Sequence, residues 1–156
     1  MQTTRHAGRF RRPDRILQSA TCLALITASV AAGCGPGAGP IKRDELERGV
    51  KTLAAVSAAG KVLTEGVIAD STKTTVVRVN ARELSEEATH EAEKLQDAEA
   101  AGPVVGFKSE AVTIAQQIAA ALGDLQVAAK DPDVARDVRQ RLEELGHRAD
   151  RLAVRI

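Results

Sequence analysis

The sequence predicts an all-α protein: an antiparallel up-down-up-down four-helix bundle behind an N-terminal signal segment. Three observations predict it. From Ile41 onward, apolar residues recur at alternating steps of three and four, the spacing of helices that pack along one seam. Helix-stop and helix-start residues separate four such stripes at short intervals, so neighbouring helices should run antiparallel. Aromatic residues make up 1% of the 156 residues, which argues against sandwich folds that lean on aromatic strand positions.

Residues 1–33 come first and differ from the rest. Five arginines (Arg5, Arg9, Arg11, Arg12 and Arg15) against Asp14 give this stretch a charge of +4. The remaining 17 basic and 20 acidic residues leave the rest of the chain at −3. An uncharged, largely apolar run, Ile16 to Ala32, follows the arginines, and small residues follow the run. A basic region, an apolar region and a small-residue boundary are the parts of an export signal. The basic end stays at the cytoplasmic face while the apolar run partitions into the bilayer.

Val30-Ala31-Ala32-Gly33-Cys34 ends that run. It resembles the lipobox of bacterial lipoprotein precursors, in which small residues precede a cysteine. The resemblance implies that Cys34 is lipidated and that the lipoprotein signal peptidase cuts just before it. Ala31, Ala32 and Gly33 would then be the motif that enzyme reads, with Ala31 where the family usually has Leu. The likeness covers the first fifth of the chain only. Two other readings of the same residues stand beside it. Val30-Ala31-Ala32 also fits ordinary signal cleavage after Ala32, and the apolar run sits at the short end for a retained transmembrane anchor. Arg11-Arg12 is a weak twin-arginine match, because Pro13 and Asp14 follow it.

The cysteines agree with export and lipid attachment. Cys22 lies in the signal and is lost on cleavage, so Cys34 remains alone and no internal disulfide is available. Residues 34–40 form a tether. Gly35-Pro36-Gly37-Ala38-Gly39-Pro40 lacks the strand and free N–H groups of a phosphate-binding loop. Six residues reach at most about 20 Å, which keeps the domain near the membrane.

The bundle domain occupies 41–156, with helices expected near 41–69, 72–100, 103–129 and 132–155. The first stripe is Leu46, Gly49, Leu53, Val56, Gly60, Leu63 and Val67, and the second is Val77, Ala81, Leu84, Ala88, Glu91, Leu95 and Ala98. Phe107, Ala111, Ile114, Ile118, Ala121 and Leu125 make the third; Val138, Leu142, Leu145, Ala149, Leu152 and Ile156 make the fourth. Asp131-Pro132-Asp133 marks the last helix start: a cap, a proline at the first helical position and an acid at the positive end of the dipole. Ala101-Gly102-Pro103 reads as a stop and restart, and Asp70-Ser71-Thr72 as the first turn.

Two places are soft. Gly49, Gly60 and Gly66 each cost a helix roughly 0.5–1 kcal/mol relative to Ala. Gly49 and Gly60 lie on the seam, where they favour close approach of a partner helix. Thr74 to Val79 is β-branched except for Arg78, so residues 65–79 have a short hairpin as their alternative to helix. The Ala-rich seam buries less area per residue than a Leu-rich one, which makes self-association a way to cover what remains.

The sharpest chemical motif is a pair of Glu-x-x-His sequences, Glu87 to His90 and Glu144 to His147. Ferritin-like di-iron bundles look similar, with a further Glu on each remaining helix, for which Glu47 and Glu110 are the nominees. Helical geometry argues against it. At about 100° per residue, His147 lies about 200° from Leu145 and Ala149, and His90 is well off its own stripe. Both histidines should be solvated. A loose surface site at His90 with Glu86, Glu87 or Glu93 is the remaining metal reading. Glu91 interrupts the second stripe. It either reaches water from an edge position or pairs across the seam, with Arg141 the nearest partner by register.

No nucleophile elbow, zinc spacing or cofactor motif is present, and the mature chain is slightly acidic, so neither an enzyme nor a nucleic-acid binder is expected. Glu83 to Glu99 carries seven acids against Lys94, while the last helix carries six arginines among five acids. These faces should either attract each other between neighbouring helices or dock a partner. The expectation is a lipoprotein held at the extracytoplasmic side of the cell membrane or outer membrane, binding lipid through Cys34 and an envelope protein through its surface, with no cofactor. The competing expectation is a metal-binding bundle.

Overall fold

The computed structural model describes residues 40–156. They form a helical bundle of four helices: α1 (Arg43–Ile68), α2 (Thr74–Asp97), α3 (Val104–Val127) and α4 (Pro132–Arg155). No strand occurs among the described residues. All four helices lie where the stripes place them, with ends moved inward by up to three residues.

Each boundary has a local cause. α4 begins as the sequence predicts: the Asp131 side chain accepts from Asp133 N at 2.9 Å and Val134 N at 3.3 Å, and Pro132 holds the first helical position. α1 ends in a 6→1 and 5→2 pair of bonds, from Ser71 N to Gly66 O at 3.0 Å and from Asp70 N to Val67 O at 3.1 Å. Asp70 takes the left-handed conformation at φ 48°, which the short polar side chain tolerates better than most. Gly66 has no Cβ, and the Thr72 hydroxyl occupies the space where one would project.

That turn excludes the hairpin alternative for 65–79. Its hydrogen bonds finish a helix rather than start a ladder, and Thr74 to Val79 form the first turns of α2. Val77 is fully buried there, so packing outweighs the β-branched preference of its neighbours.

The core is aliphatic. Leu46, Leu53, Leu95, Ile114, Ile118, Leu122, Leu125, Leu142 and Leu152 are its largest fully buried side chains. It is broader than the predicted stripes: Val50, Ser57, Ala92, Ala115, Leu122 and Ala135 are buried beside them. Leu63, Leu84, Ala98 and Phe107 are only half-buried at its margin.

The helices are not equally spaced. α1 packs most extensively on α4 and α2 on α3; α1 also touches α3, whereas no Cα of α2 comes within 8 Å of α4. Glycines and small residues permit the tight pairs. A Cβ on Gly60 would come within 2.7 Å of Leu142 Cδ1 and 2.8 Å of Leu122 Cδ2. Ser57 Oγ donates to Leu142 O at 2.6 Å, a buried bond from α1 to α4, and Ser85 Oγ donates to Ala119 O at 3.0 Å from α2 to α3.

Candidate functional site

Cys34, the predicted lipidation site, lies outside the described residues, as do Ala31, Ala32 and Gly33. The structure does fix where the chain enters the bundle. Ile41 is buried, and its N–H donates to Glu99 O at 2.7 Å, so the chain enters the bundle beside the end of α2. Arg43 Nη2 donates to Arg155 O at 3.3 Å, and the Arg155 guanidinium stands 5.5 Å from the Phe107 ring centroid. The entry point, the end of α2, the start of α3 and the end of α4 are thereby gathered at one end of the bundle.

The di-iron nominees are not brought together. Glu87, His90, Glu144 and His147 are all exposed, and they sit on α2 and α4, the two helices that do not approach each other. Glu47 pairs with Lys51 at 2.6 Å and Glu110 with Arg155 at 3.2 Å. Glu86 pairs with Arg82, and Glu93 is exposed. No group of three or more His, Cys, Asp or Glu side chains is placed to hold a metal ion among the described residues.

Glu91 does not pair with Arg141. It is nine-tenths buried on α2, facing Gly49 on α1, with Lys94 Nζ 3.4 Å away. Arg141 instead bonds Asp124 on α3 at 2.7 Å and Asp137 on its own helix at 3.5 Å. The bond to Asp124 holds the guanidinium above its ordinary pKa against the opposing effect of partial burial. The sequence-based pairing failed because α2 and α4 face opposite sides of the bundle. Register along the axis says nothing about which helices are neighbours.

The same separation corrects the expected attraction between the acidic and arginine-rich helices. Glu83, Glu87, Glu93 and Asp97 are exposed on α2 with no contact to α4. Three further arginines of α4 are engaged elsewhere: Arg136 with Asp133, Arg148 with Gln117 at 2.9 Å and Arg155 with Glu110.

Sequence reasoning did not anticipate a cleft of about 500 Å³ lined by Val67, residues 70–74, Ala129 and Lys130. It lies where the α1–α2 and α3–α4 connections meet, at the end of the bundle away from Pro40. Most of its lining comes from two loops, for which hydrophobic periodicity carries no signal. No helix among the described residues is long and apolar enough to cross a membrane. Comparisons with protein-family models, with curated proteins and with solved structures find no match to this chain.

Proposed function

We propose that the chain is a bacterial lipoprotein whose bundle acts as a structural or protein-interaction module at the extracytoplasmic face of a membrane. One observation carries this reading: the small residues Val30-Ala31-Ala32-Gly33 followed by Cys34, at the end of an uncharged run that five arginines precede. Residues 1–33 serve as the signal, 34–40 as the tether and 41–156 as the bundle. The lone mature cysteine then carries fatty chains, and an envelope protein is the partner.

Within this reading the bundle is antiparallel and up-down-up-down. Cross-helix contacts support that arrangement. Along α1 and α2, Ile41 meets Glu99, Gly49 meets Glu91 and Gly66 meets Thr72, so numbers rise on one helix as they fall on the other. Arg141 with Asp124 and Arg155 with Glu110 do the same for α3 and α4. Such a domain is a stiff rod about 36 Å long, the rise of 24 helical residues.

Fractionation of cells expressing the full chain tests the anchor. The protein should remain with membranes after washing in high salt, and the peptide bearing Cys34 should carry the mass of acyl chains. Cys34→Ala should leave an uncleaved precursor without that mass. An unmodified sulfur in the wild type, or a new terminus at Gly33, would rule the reading out. Crosslinking in cells then identifies the attached partner.

A further inference from the structure

We infer that the solvent face of α1 is an interface between two copies of this chain, which meet antiparallel about Ala58. The inference goes beyond the proposed function and does not depend on the anchor.

The face is apolar and unpartnered within the bundle. Ala55, Ala58, Ala59 and Val62 are all exposed, and their spacing of three and four residues sets them side by side on α1. Val62 is 67% exposed. From Thr52 to Thr64 the only charged residue is Lys61, and it turns aside to Glu143 of α4 at 3.3 Å. α2 adds to the same side. Gly66 lies against Thr72, so antiparallel counting sets Val62 level with Val76, which is 45% exposed. Val62 stands about 40° round α1 from Gly66, and Val76 about 60° round α2 from Glu91, the residue that faces Gly49. Both valines therefore border the α1–α2 seam from its solvent side.

Charge identifies the occupant. Lys51 and Glu65 close the two ends of this face, each seven residues from Ala58. Seven residues make about two turns, so the three fall nearly on one line along the helix. A two-fold axis at Ala58 brings each Lys51 to Glu65 of the second copy, about 10 Å either side of the axis. A parallel pairing would oppose like charges instead. Glu65 is exposed and has no ion-pair partner among the described residues. Lys51 reaches Glu47 of its own helix, an exposed pair of the kind that adds little to stability. Alanine at the axis lets the two backbones approach closely. The outer face of α2 offers no such match: Glu83, Glu87 and Glu93 are exposed there and would repel their own copies. The two chains enter the pair about 45 Å apart, twice the rise from Arg43 to Ala58. Where both are anchored in one leaflet, the pair lies along the bilayer.

The test uses the full chain purified in detergent, with its mass measured by sedimentation equilibrium in density-matched micelles at low salt. The wild type should be a dimer. Lys51→Glu and Glu65→Lys should each weaken it about tenfold, since each turns two symmetric attractions into repulsions. Mixing these two variants restores both attractions, so the mixture should form a heterodimer as tight as the wild type. The double variant Lys51→Glu/Glu65→Lys should also dimerise like the wild type, which separates lost pairing from lost folding. In a Cys22→Ser/Cys34→Ser chain, Ala58→Cys should be joined to its copy by a short bismaleimide, and the exposed Gln116→Cys of α3 should not. A monomeric wild type at tens of micromolar, a dimer indifferent to both single substitutions, a mixture no tighter than either variant alone, or equal crosslinking at 58 and 116 overturns the proposal.

Discussion

The carboxylate of Glu91 on α2 rests over the Cα of Gly49 on α1, in the space a Cβ would occupy. Each residue explains the other. Without a side chain at 49, the acid folds down against α1 and is nine-tenths buried; with the acid there, glycine is the residue that fits. A double-mutant cycle reads this coupling. Gly49→Ala alone should destabilise by about 1 kcal/mol, because the carboxylate must leave its seat. In a Glu91→Ala background the same change should stabilise by about 0.5–1 kcal/mol, the ordinary gain of Ala over Gly in a helix. Urea unfolding of the four proteins supplies the numbers, and equal effects in both backgrounds would refute the coupling.

Gly60 should behave differently. Its hypothetical Cβ meets Leu142 and Leu122, both fully buried and packed on every side. Gly60→Ala forces α1 away from α4 or pushes two leucines off their rotamers. Overpacking of this kind costs about 1–3 kcal/mol, more than the helix gains from alanine. A melting temperature at or above the wild-type value would show that the α1–α4 contact is looser than described.

How much of this was legible beforehand depends on the residue. Asp131-Pro132-Asp133 was readable because a cap acts on N–H groups two and three residues away, with no help from the rest of the fold. The stripes located the helices but drew the core too narrowly. A strict seam takes two positions in seven, whereas Val50, Ala92, Ala115 and Leu122 belong to the third position that a globular bundle also buries. The Glu91 partner was illegible, since neighbour relations among four similar helices follow from three-dimensional packing.

Helix ends offer two opposite predictions. Asp131→Ala removes the only side-chain cap found on these four helices and should cost about 1 kcal/mol. Asp70→Gly should raise stability by about 0.5–1 kcal/mol, because glycine occupies the left-handed conformation at the end of α1 without steric penalty. Thermal melts of both variants, side by side, check the signs. A neutral Asp70→Gly would mean that the aspartate relieves its own strain locally.

The acidic face of α2 supplies the last prediction, and here two physical pictures give opposite signs. If Glu83, Glu87 and Glu93 were held by attraction to the arginines of α4, replacing all three by Gln would weaken the fold. The two helices do not approach each other, and Arg136, Arg141, Arg148 and Arg155 bond groups on α3 or on α4 itself. What remains is repulsion at i,i+4 spacing, between Glu83 and Glu87 and between Glu93 and Asp97, worth about 0.2–0.5 kcal/mol per pair. The triple Gln variant should therefore be as stable as the wild type or slightly more so at low salt. The difference should shrink as salt is added, because the Debye length falls from about 30 Å at 0.01 M to about 3 Å at 1 M. Destabilisation by more than about 1 kcal/mol would mean that these carboxylates hold the bundle together. A neutral or stabilising result with loss of partner crosslinking would instead place the face on the outside, where it serves recognition rather than folding.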